Sequence, residues 1–263
     1  MLGAIIGDII GSRYEFSSLK SKDFSLFQSN CRPTDDSIMT IAVGCACAEA
    51  DIDDEDDFKE KLIYYMRELG RLYPDAGYGA LFYEWIFADC NYSYGSFGNG
   101  SGMRVSPVAW ATDSLSQVRE LARWSAEITH NHPEGIKGAE AVASAVFLAR
   151  KGKSKDEIRG YIENNFYDLD FTVESVRPGY SFDVTCQGSV PHAIVCFLDS
   201  TDYEDAVRNA VSLGGDGDTI ACMAGAIAEA FYGIPPEIEE KGLEFLDETL
   251  TDYYSGYADA LYR

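Results

Sequence analysis

Apolar residues recur at helical spacing along most of this chain, and that pattern constrains the fold more than any other feature of the sequence. Residues at positions i, i+3, i+4 and i+7 lie on one face of an α-helix. Such faces are formed by Phe58, Leu62, Tyr65, Met66 and Leu69, by Val118, Leu121, Ala122, Ser125 and Ile128, by Val190, Ala193, Ile194, Phe197 and Leu198, and by Ile220, Met223, Ala224, Ile227 and Phe231. We therefore predict an all-α fold, a single compact bundle of about ten helices.

Local signals mark several helix ends. Thr201 and Glu204 have the spacing of a capping box, which predicts a helix start there. The Gly214-Gly215 pair predicts the end of that helix, and Gly233 followed by Pro235 predicts the end of the next one.

Strand signals are sparse. Residues 171–173 and 182–185 are short apolar segments that we predict to pair across a turn at Pro178-Gly179. No linker rich in proline or serine divides the chain, and we find no repeat of fixed period. We therefore predict one domain over residues 1–263.

Three glycines four residues apart begin the chain. On a helix, Gly3, Gly7 and Gly11 form a flat strip that allows close contact between backbones. Helix packing accounts for Gly3 and Gly7. Asp8 and the turn after Gly11 are harder to assign to packing alone.

The net charge excludes several classes of partner. The chain has 21 Lys and Arg against 44 Asp and Glu, which gives a formal charge of −23. A general nucleic-acid binder needs a basic surface, and an anionic membrane would repel this chain. A phosphorylated substrate would need local help from a metal ion, a helix N-terminus or a well-placed arginine.

The chain's start and its cysteines suggest a compartment. Residues 1–12 are apolar but short, contain Asp8 and lack a basic segment, so they do not resemble a signal peptide. The seven cysteines form no CxxC pair. We predict reduced thiols in a cytoplasmic protein.

Two short clusters combine aspartates with a threonine at predicted helix starts: Thr34-Asp35-Asp36 and Asp216-Gly217-Asp218-Thr219. Taken alone, each is also what a capped helix start looks like. Together they offer four carboxylates and two hydroxyls, the oxygen ligands that Mg²⁺ and Mn²⁺ prefer. The pair predicts one or two divalent cations where the clusters converge.

A glycine-rich segment, residues 94–104, precedes a predicted short helix that begins at Val105. Exposed backbone N–H groups next to a helix start suit a pyrophosphate, although the segment is also compatible with a plain loop. Arg104 can add charge there or pair with an aspartate of the metal site. The segment lacks the GxxxxGK of a phosphate-binding P-loop.

Two other segments contain residues that often bind metals. In His130-Asn131-His132, no third histidine or cysteine set supports zinc, so we predict that His130 contacts substrate or orders a loop. The acidic residues 51–57 lack the glycine and the final glutamate of a calcium loop. They predict a solvated helix start.

Several of these motifs, in this order, resemble those of ADP-ribosylglycohydrolases: Gly3 to Asp8, Thr34 to Asp36, Gly98 to Arg104, Thr129-His130 and Gly215 to Thr219. That family includes dinitrogenase reductase-activating glycohydrolase and the eukaryotic ADP-ribosyl-arginine and ADP-ribosyl-serine hydrolases. The resemblance implies an all-α fold with a two-metal site, holding Mg²⁺ or Mn²⁺, at helix N-termini. It implies the metal ligands Thr34, Asp35, Asp36, Asp216, Asp218 and Thr219.

The resemblance also implies a substrate site and a reaction. ADP-ribose would contact Gly77, Gly79, Ser96, Phe97, Gly98, Asn99, Gly100, Ser101 and His130. The reaction would be hydrolysis of the C1″ glycosidic bond between ADP-ribose and a modified protein side chain. Glu15, Asp35 or Asp36 would act as the general acid or base, and the sequence does not decide which.

Other functions on the same fold stay open. They are hydrolysis of a small ADP-ribose metabolite and non-catalytic binding of ADP-ribose. The presence of the complete ligand set favours an enzyme. The acceptor, whether arginine, serine or a small molecule, cannot be read from the sequence. We expect a monomer whose partner is its ADP-ribosyl substrate.

Overall fold

A computed structural model describes residues 1–261, and these form an all-α fold with fifteen helices. The helices are α1 (Leu2–Gly11), α2 (Asp35–Glu49), α3 (Glu55–Leu72), α4 (Ala80–Phe87), α5 (Gly100–Met103), α6 (Val108–Ala111), α7 (Leu115–Glu127), α8 (Pro133–Arg150), α9 (Lys155–Asn165), α10 (Val173–Val176), α11 (Cys186–Leu198), α12 (Tyr203–Leu213), α13 (Gly217–Tyr232), α14 (Pro236–Leu243) and α15 (Glu248–Leu261). The all-α prediction is confirmed.

Helices α1 and α13 pack against each other at the centre of the fold. All ten residues of α1 are buried, and so are the first twelve residues of α13. A Cβ on Gly7 would lie 2.1 Å from the carbonyl oxygen of Ala221, and one on Gly3 would lie 2.5 Å from that of Gly225. The predicted glycine strip is therefore a helix contact. It brings the end of α1 beside the start of α13.

The predicted apolar faces are buried. The inward residues of α3, α7 and α11 lie in the hydrophobic core as their spacing predicts. Helix ends also follow the sequence, since Gly214 ends α12 and Gly233 ends α13.

The prediction of about ten helices is too low, since the described residues form fifteen. Helices α5, α6 and α10 have four residues each, too few for an apolar period to show. The predicted start at Val105 is also wrong. One helix begins earlier, at Gly100 inside the glycine-rich segment, and the next begins at Val108.

The predicted strand pair is wrong. Thr172 caps α10 by accepting a hydrogen bond from the N–H of Ser175, so residues 173–176 turn into a helix. Segment 182–185 pairs instead with the glycine-rich segment, through a single bridge between Gly98 and Thr185. Asn99 N–H donates to the carbonyl oxygen of Val184 at 2.8 Å.

The capping box at Thr201 and Glu204 is also wrong, by one residue. Asp202 is the N-cap of α12, and its carboxylate accepts a 2.8 Å hydrogen bond from the N–H of Asp205. Asp accepts this bond as readily as Thr does. Glu204 is then free to pair with Arg208 one turn later.

All seven cysteines are free thiols, and only Cys90 among them is exposed. Among the described residues, no helix has both the length and the apolar character needed to cross a membrane.

Candidate metal centre and adjoining cleft

Asp8 fastens the start of α2 to the end of α1. Thr34 is the N-cap of α2, and its hydroxyl donates to Oδ1 of Asp8 at 2.6 Å while its N–H donates to Oδ2 at 2.9 Å. Ser37 donates to the same carboxylate through its N–H, at 3.1 Å, and through its hydroxyl. Both oxygens of this fully buried carboxylate are therefore engaged. Asp8 sets the position of the Thr34-Asp35-Asp36 cluster.

The second cluster lies on the first turn of α13. Gly214 and Gly215 precede it with φ of +68° and +85°, in the left-handed region that favours glycine. Asp216 is the N-cap residue, but its side chain makes no capping bond. Its Oδ2 accepts a 2.6 Å hydrogen bond from Nδ2 of Asn99 instead. The turn thus directs the carboxylate away from its own helix and toward the glycine-rich segment.

The two clusters meet. The hydroxyl of Thr219 donates to Oδ2 of Asp36 at 3.2 Å. Asp8, Asp36 and Asp218 each offer an oxygen, and these oxygens lie within 4.8 Å of one another. Oδ1 of Asp36 is buried without a hydrogen-bond partner, which is rare for a buried polar atom. Crowded carboxylate oxygens, one of them unpartnered, suit a hard divalent cation.

Burial and crowding raise the pKa of the acids in this site. Burial is the main cause of the raised pKa of Asp36, and the charges of Asp8 and Asp218 add to it. Burial is also the main cause of the raised pKa of Asp35 and of Asp218, and the charge of Asp216 raises both further. A cation among these groups would supply opposite charge and lower their pKa values.

Glu15 lies on the turn that follows α1. Burial, followed by the charges of Asp216 and Asp8, raises its pKa to about 7, against a smaller lowering by Arg32. A carboxyl group with this pKa can accept or donate a proton near neutral pH.

A cleft of about 460 Å³ opens over the acidic clusters. It is lined by most of the predicted site residues: Glu15, Asp35, Asp36, Gly77, Gly79, Ser96, Gly98, Asn99, Gly100, His130, Asp216, Asp218 and Thr219. Three predicted residues are not in this lining. Thr34 is buried behind it, Phe97 is exposed beside His132, and the Ser101 hydroxyl donates to the carbonyl of Gly135 at 2.7 Å.

Gly77 brings the backbone close to Asp35. Its φ of +112° is in the region that disfavours side chains, and a Cβ there would lie 3.3 Å from Oδ1 of Asp35. The N–H of Asp35 donates to the carbonyl of Ala76 at 3.0 Å. Segment 76–79 therefore forms the wall of the cleft next to the first cluster.

The opposite wall is the glycine-rich segment with His130. A Cβ on Gly100 would lie 3.1 Å from Nε2 of His130, so glycine gives the imidazole room. Arg104 is buried, and its Nη2 donates to the carbonyl of Ser125 at 2.8 Å and to the Thr129 hydroxyl at 2.9 Å. It makes no hydrogen bond to either acidic cluster. His132 caps α8 by accepting from the N–H of Glu134 at 3.1 Å.

The whole chain, residues 1–263, matches the family model described as ADP-ribosylglycohydrolase. The chain belongs to the ADP-ribosylglycohydrolase family. It is 30% identical to ADP-ribosylhydrolase ARH3 of Mus musculus, over 95% of this chain and 87% of the mouse protein. It is also 30% identical to ADP-ribosylarginine hydrolase Tri1 of Pseudomonas putida (strain GB-1), over 57% of this chain and 43% of that protein.

A solved structure supports the fold of this ADP-ribosylglycohydrolase. It is described as an ADP-ribosylglycohydrolase-related protein complex, and it superposes with a TM-score of 0.63 at 22% identity, covering 100% of this chain and 96% of that one. Family membership and the similarity to ARH3 support an ADP-ribosyl hydrolase.

Sequence reasoning missed parts of the site in this ADP-ribosylglycohydrolase. The sequence does not place Asp8 with the acidic clusters, although packing alone does not account for it. A lone carboxylate inside an apolar helix was the available signal, because such a residue is buried only when it is paired or hydrogen-bonded. Phe182 and Val184 also line the cleft, and nothing in their sequence context pointed there.

Proposed function

We propose that this ADP-ribosylglycohydrolase is a Mg²⁺- or Mn²⁺-dependent enzyme that hydrolyses the C1″ bond between ADP-ribose and a modified protein side chain. The observation that carries the proposal is the convergence of Asp36 and Asp218, which are far apart in the sequence, beneath a cleft that also contains Glu15.

The donor set supports a two-cation centre. Thr34, Asp35 and Asp36 would hold cations from the start of α2, and Asp216, Asp218 and Thr219 would hold them from the start of α13. Bound there, the cations would supply positive charge that fixes the ribose hydroxyls and orients a water. They would also reduce the local repulsion between this chain, with its net charge of −23, and a diphosphate substrate.

The environment of Glu15 supports its assignment as the proton-transfer group. Its carboxyl lies at the cleft wall with a pKa of about 7 in the metal-free protein, and burial, the main cause of that increase, would remain when cations are bound. Asp36 is less suited, because the proposed centre uses its carboxylate as a ligand of the cations. The transition state of such a hydrolysis has oxocarbenium character, and Glu15 would move a proton to the leaving group or from the water.

The walls of the cleft support ADP-ribose as the ligand. Gly98 and Gly100 leave space beside His130, so a ligand can approach the backbone of the glycine-rich segment closely. Gly77 and Gly79 would face the diphosphate from the opposite wall.

Two other functions fit the same cleft. The chain could hydrolyse a small ADP-ribose metabolite, or bind ADP-ribose without cleaving it. The relatives favour hydrolysis, since the Mus musculus and Pseudomonas putida proteins are both described as hydrolases. The monomeric state and the cytoplasmic location stay predictions.

A substrate panel tests the proposal. Peptides ADP-ribosylated on serine or on arginine and a small ADP-ribosyl ester would each be incubated with protein and Mg²⁺ or Mn²⁺, and released ADP-ribose would be measured. We expect release from one peptide class, and none with excess chelator. Release from the small ester alone would favour the metabolite hydrolase, and binding without any release would favour the non-catalytic alternative.

The variant Asp36→Asn tests the metal site directly, because it keeps the size of the side chain and removes its negative charge. This variant is expected to bind the cation weakly and to release no ADP-ribose. Full turnover by this variant, or by the wild-type protein in excess chelator, would overturn the metal-dependent mechanism.

A further inference from the structure

Arg104 is a buried cation with an unusual set of partners. Its side chain is fully buried, and its Nε and Nη1 have no hydrogen-bond partner among the described residues. Nη2 makes both of its bonds with uncharged oxygens, the carbonyl of Ser125 and the hydroxyl of Thr129. Arg104 is also the only lysine or arginine among the described residues that line the cleft. A buried charge of this kind polarises the groups around it.

Thr129 passes that polarisation on to His130. Its Oγ1 lies 2.9 Å from Nη2 of Arg104 and 2.7 Å from Nδ1 of His130. A guanidinium only donates, so Oγ1 is the acceptor of that bond. The single hydrogen of the hydroxyl is then available for Nδ1. Accepting from a cation makes a hydroxyl a stronger donor, which favours this direction.

We propose that Thr129, polarised by Arg104, fixes His130 as the neutral tautomer that carries its proton on Nε2. Thr129 and Arg104 are then positioning residues, and His130 presents a hydrogen-bond donor to the cleft. The ligand expected to accept that bond rests on the proposed function, whereas the tautomer does not depend on it.

Nε2 of His130, a residue of the cleft lining, lies next to the glycine-rich wall, 3.1 Å from the position of a Cβ on Gly100 and 3.7 Å from one on Gly98. Burial, with a further contribution from Arg104, lowers the pKa of His130, so the ring is neutral at neutral pH. A neutral imidazole has one donor and one acceptor, and only the Nε2–H form can donate a hydrogen bond from Nε2 to a phosphate or hydroxyl oxygen.

Nitrogen-15 NMR of the full chain tests the tautomer without any substrate. Two-bond correlations between ring protons and ring nitrogens distinguish a protonated from an unprotonated nitrogen. His130→Gln assigns the signals, because the chain has only 3 histidines. We expect a protonated Nε2 and an unprotonated Nδ1 at His130. A protonated Nδ1 in the wild-type protein would overturn the inference.

Thr129→Val and Thr129→Ser form the matched pair. Valine keeps the shape and removes the hydroxyl, so we expect the His130 signals to shift toward a mixture of tautomers. Serine restores the hydroxyl and is expected to restore the wild-type signals. Wild-type signals in the valine variant would show that Thr129 does not position the ring.

Calorimetry with ADP-ribose and Mg²⁺ provides the second readout. Thr129→Val is expected to weaken binding about tenfold, the effect of one misdirected hydrogen bond, and Thr129→Ser to bind like the wild type. Unchanged affinity in the valine variant would overturn the role of Nε2–H toward ligand. A wild-type protein with the expected tautomer but no ADP-ribose binding would support the positioning and overturn the proposed function instead.

Discussion

The hydroxyl of Thr219 donates a 3.2 Å hydrogen bond to Oδ2 of Asp36, a residue 183 positions earlier in the chain. This bond joins the first turns of α2 and α13, and it places two acidic segments at one point. Without a cation, the clustered carboxylates repel each other in a buried environment. The stability of this centre should therefore depend on a divalent ion.

Removing ligand charge should abolish the stabilisation by Mg²⁺. A ligand at a hundred times its dissociation constant stabilises the folded state by about 2.7 kcal/mol, so we expect Mg²⁺ to raise the Tm of the wild-type protein. The variants Asp36→Asn and Asp218→Asn should lose that increase. Asp56→Asn, in the exposed acidic segment, is the control and should keep it. Equal increases in all four proteins would place the cation elsewhere.

The stability of the metal-free protein should fall as pH rises. The pKa values of Asp35, Asp36 and Asp218 are raised in the folded state, mainly by burial. The folded state then holds more protons than the unfolded state above about pH 4, so the free energy of unfolding decreases as pH increases. Thermal unfolding in chelator between about pH 5 and pH 8 measures this slope.

The double variant Asp36→Asn/Asp218→Asn is the control for that slope, because it removes two of the titrating groups. We expect its Tm to depend less on pH than that of the wild type. The increase that Mg²⁺ causes should be larger at the upper end of the range, where the cation no longer competes with protons. The same pH dependence of Tm in both proteins would show that Asp36 and Asp218 do not cause the slope.

Asp8 and Asp36 should respond in opposite ways to the same substitution. Asp8→Asn replaces one carboxylate oxygen, which accepts hydrogen bonds from Thr34 or Ser37, with an NH₂ group that cannot accept. The metal-free protein should therefore lose about 2–3 kcal/mol of unfolding free energy. Asp36→Asn relieves repulsion, so the metal-free protein should be as stable as the wild type or more stable. Urea unfolding in chelator compares the two. Destabilisation of both variants would show that Asp36 also anchors the fold.

The sequence predicts the structure well where a local pattern, such as apolar spacing or composition, determines it. The apolar spacing of α7 and α11 required a buried face, and the shared composition of the two Asp/Thr clusters pointed to one metal site. It does not predict a contact that depends on a residue far away in the sequence. Segment 182–185 has the apolar alternation of a strand, but Asn99 and Cys186 determine what it pairs with. The role of Asp8 likewise depends on Thr34 and Ser37, 26 and 29 residues away.

A methyl group on Gly7 should separate the two central helices. Its Cβ would lie 2.1 Å from the carbonyl oxygen of Ala221, closer than any real contact. Gly7→Ala should therefore lower the unfolding free energy by more than about 2 kcal/mol, by overpacking. Gly160→Ala, on α9, is the matched control. A Cβ there meets nothing within 4 Å, so alanine should stabilise that helix by about 0.5–1 kcal/mol.

Glu15→Gln should separate proton transfer from metal and ligand binding. The amide keeps the shape of the side chain but cannot exchange a proton near neutral pH. We expect kcat to fall by about 10²–10⁴, the usual effect of losing a general acid or base, while the affinities for Mg²⁺ and ADP-ribose stay close to those of the wild type.

The pH dependence of kcat in the Glu15→Gln variant should lose the ionisation that belongs to Glu15. That ionisation should lie below the metal-free value of about 7, because cations beside Asp216 and Asp8 remove two of the causes that raise the pKa of Glu15. Turnover near the wild-type rate would leave the proton transfer to Asp35 or Asp36. Loss of Mg²⁺ binding in the same variant would make Glu15 a ligand of the cation.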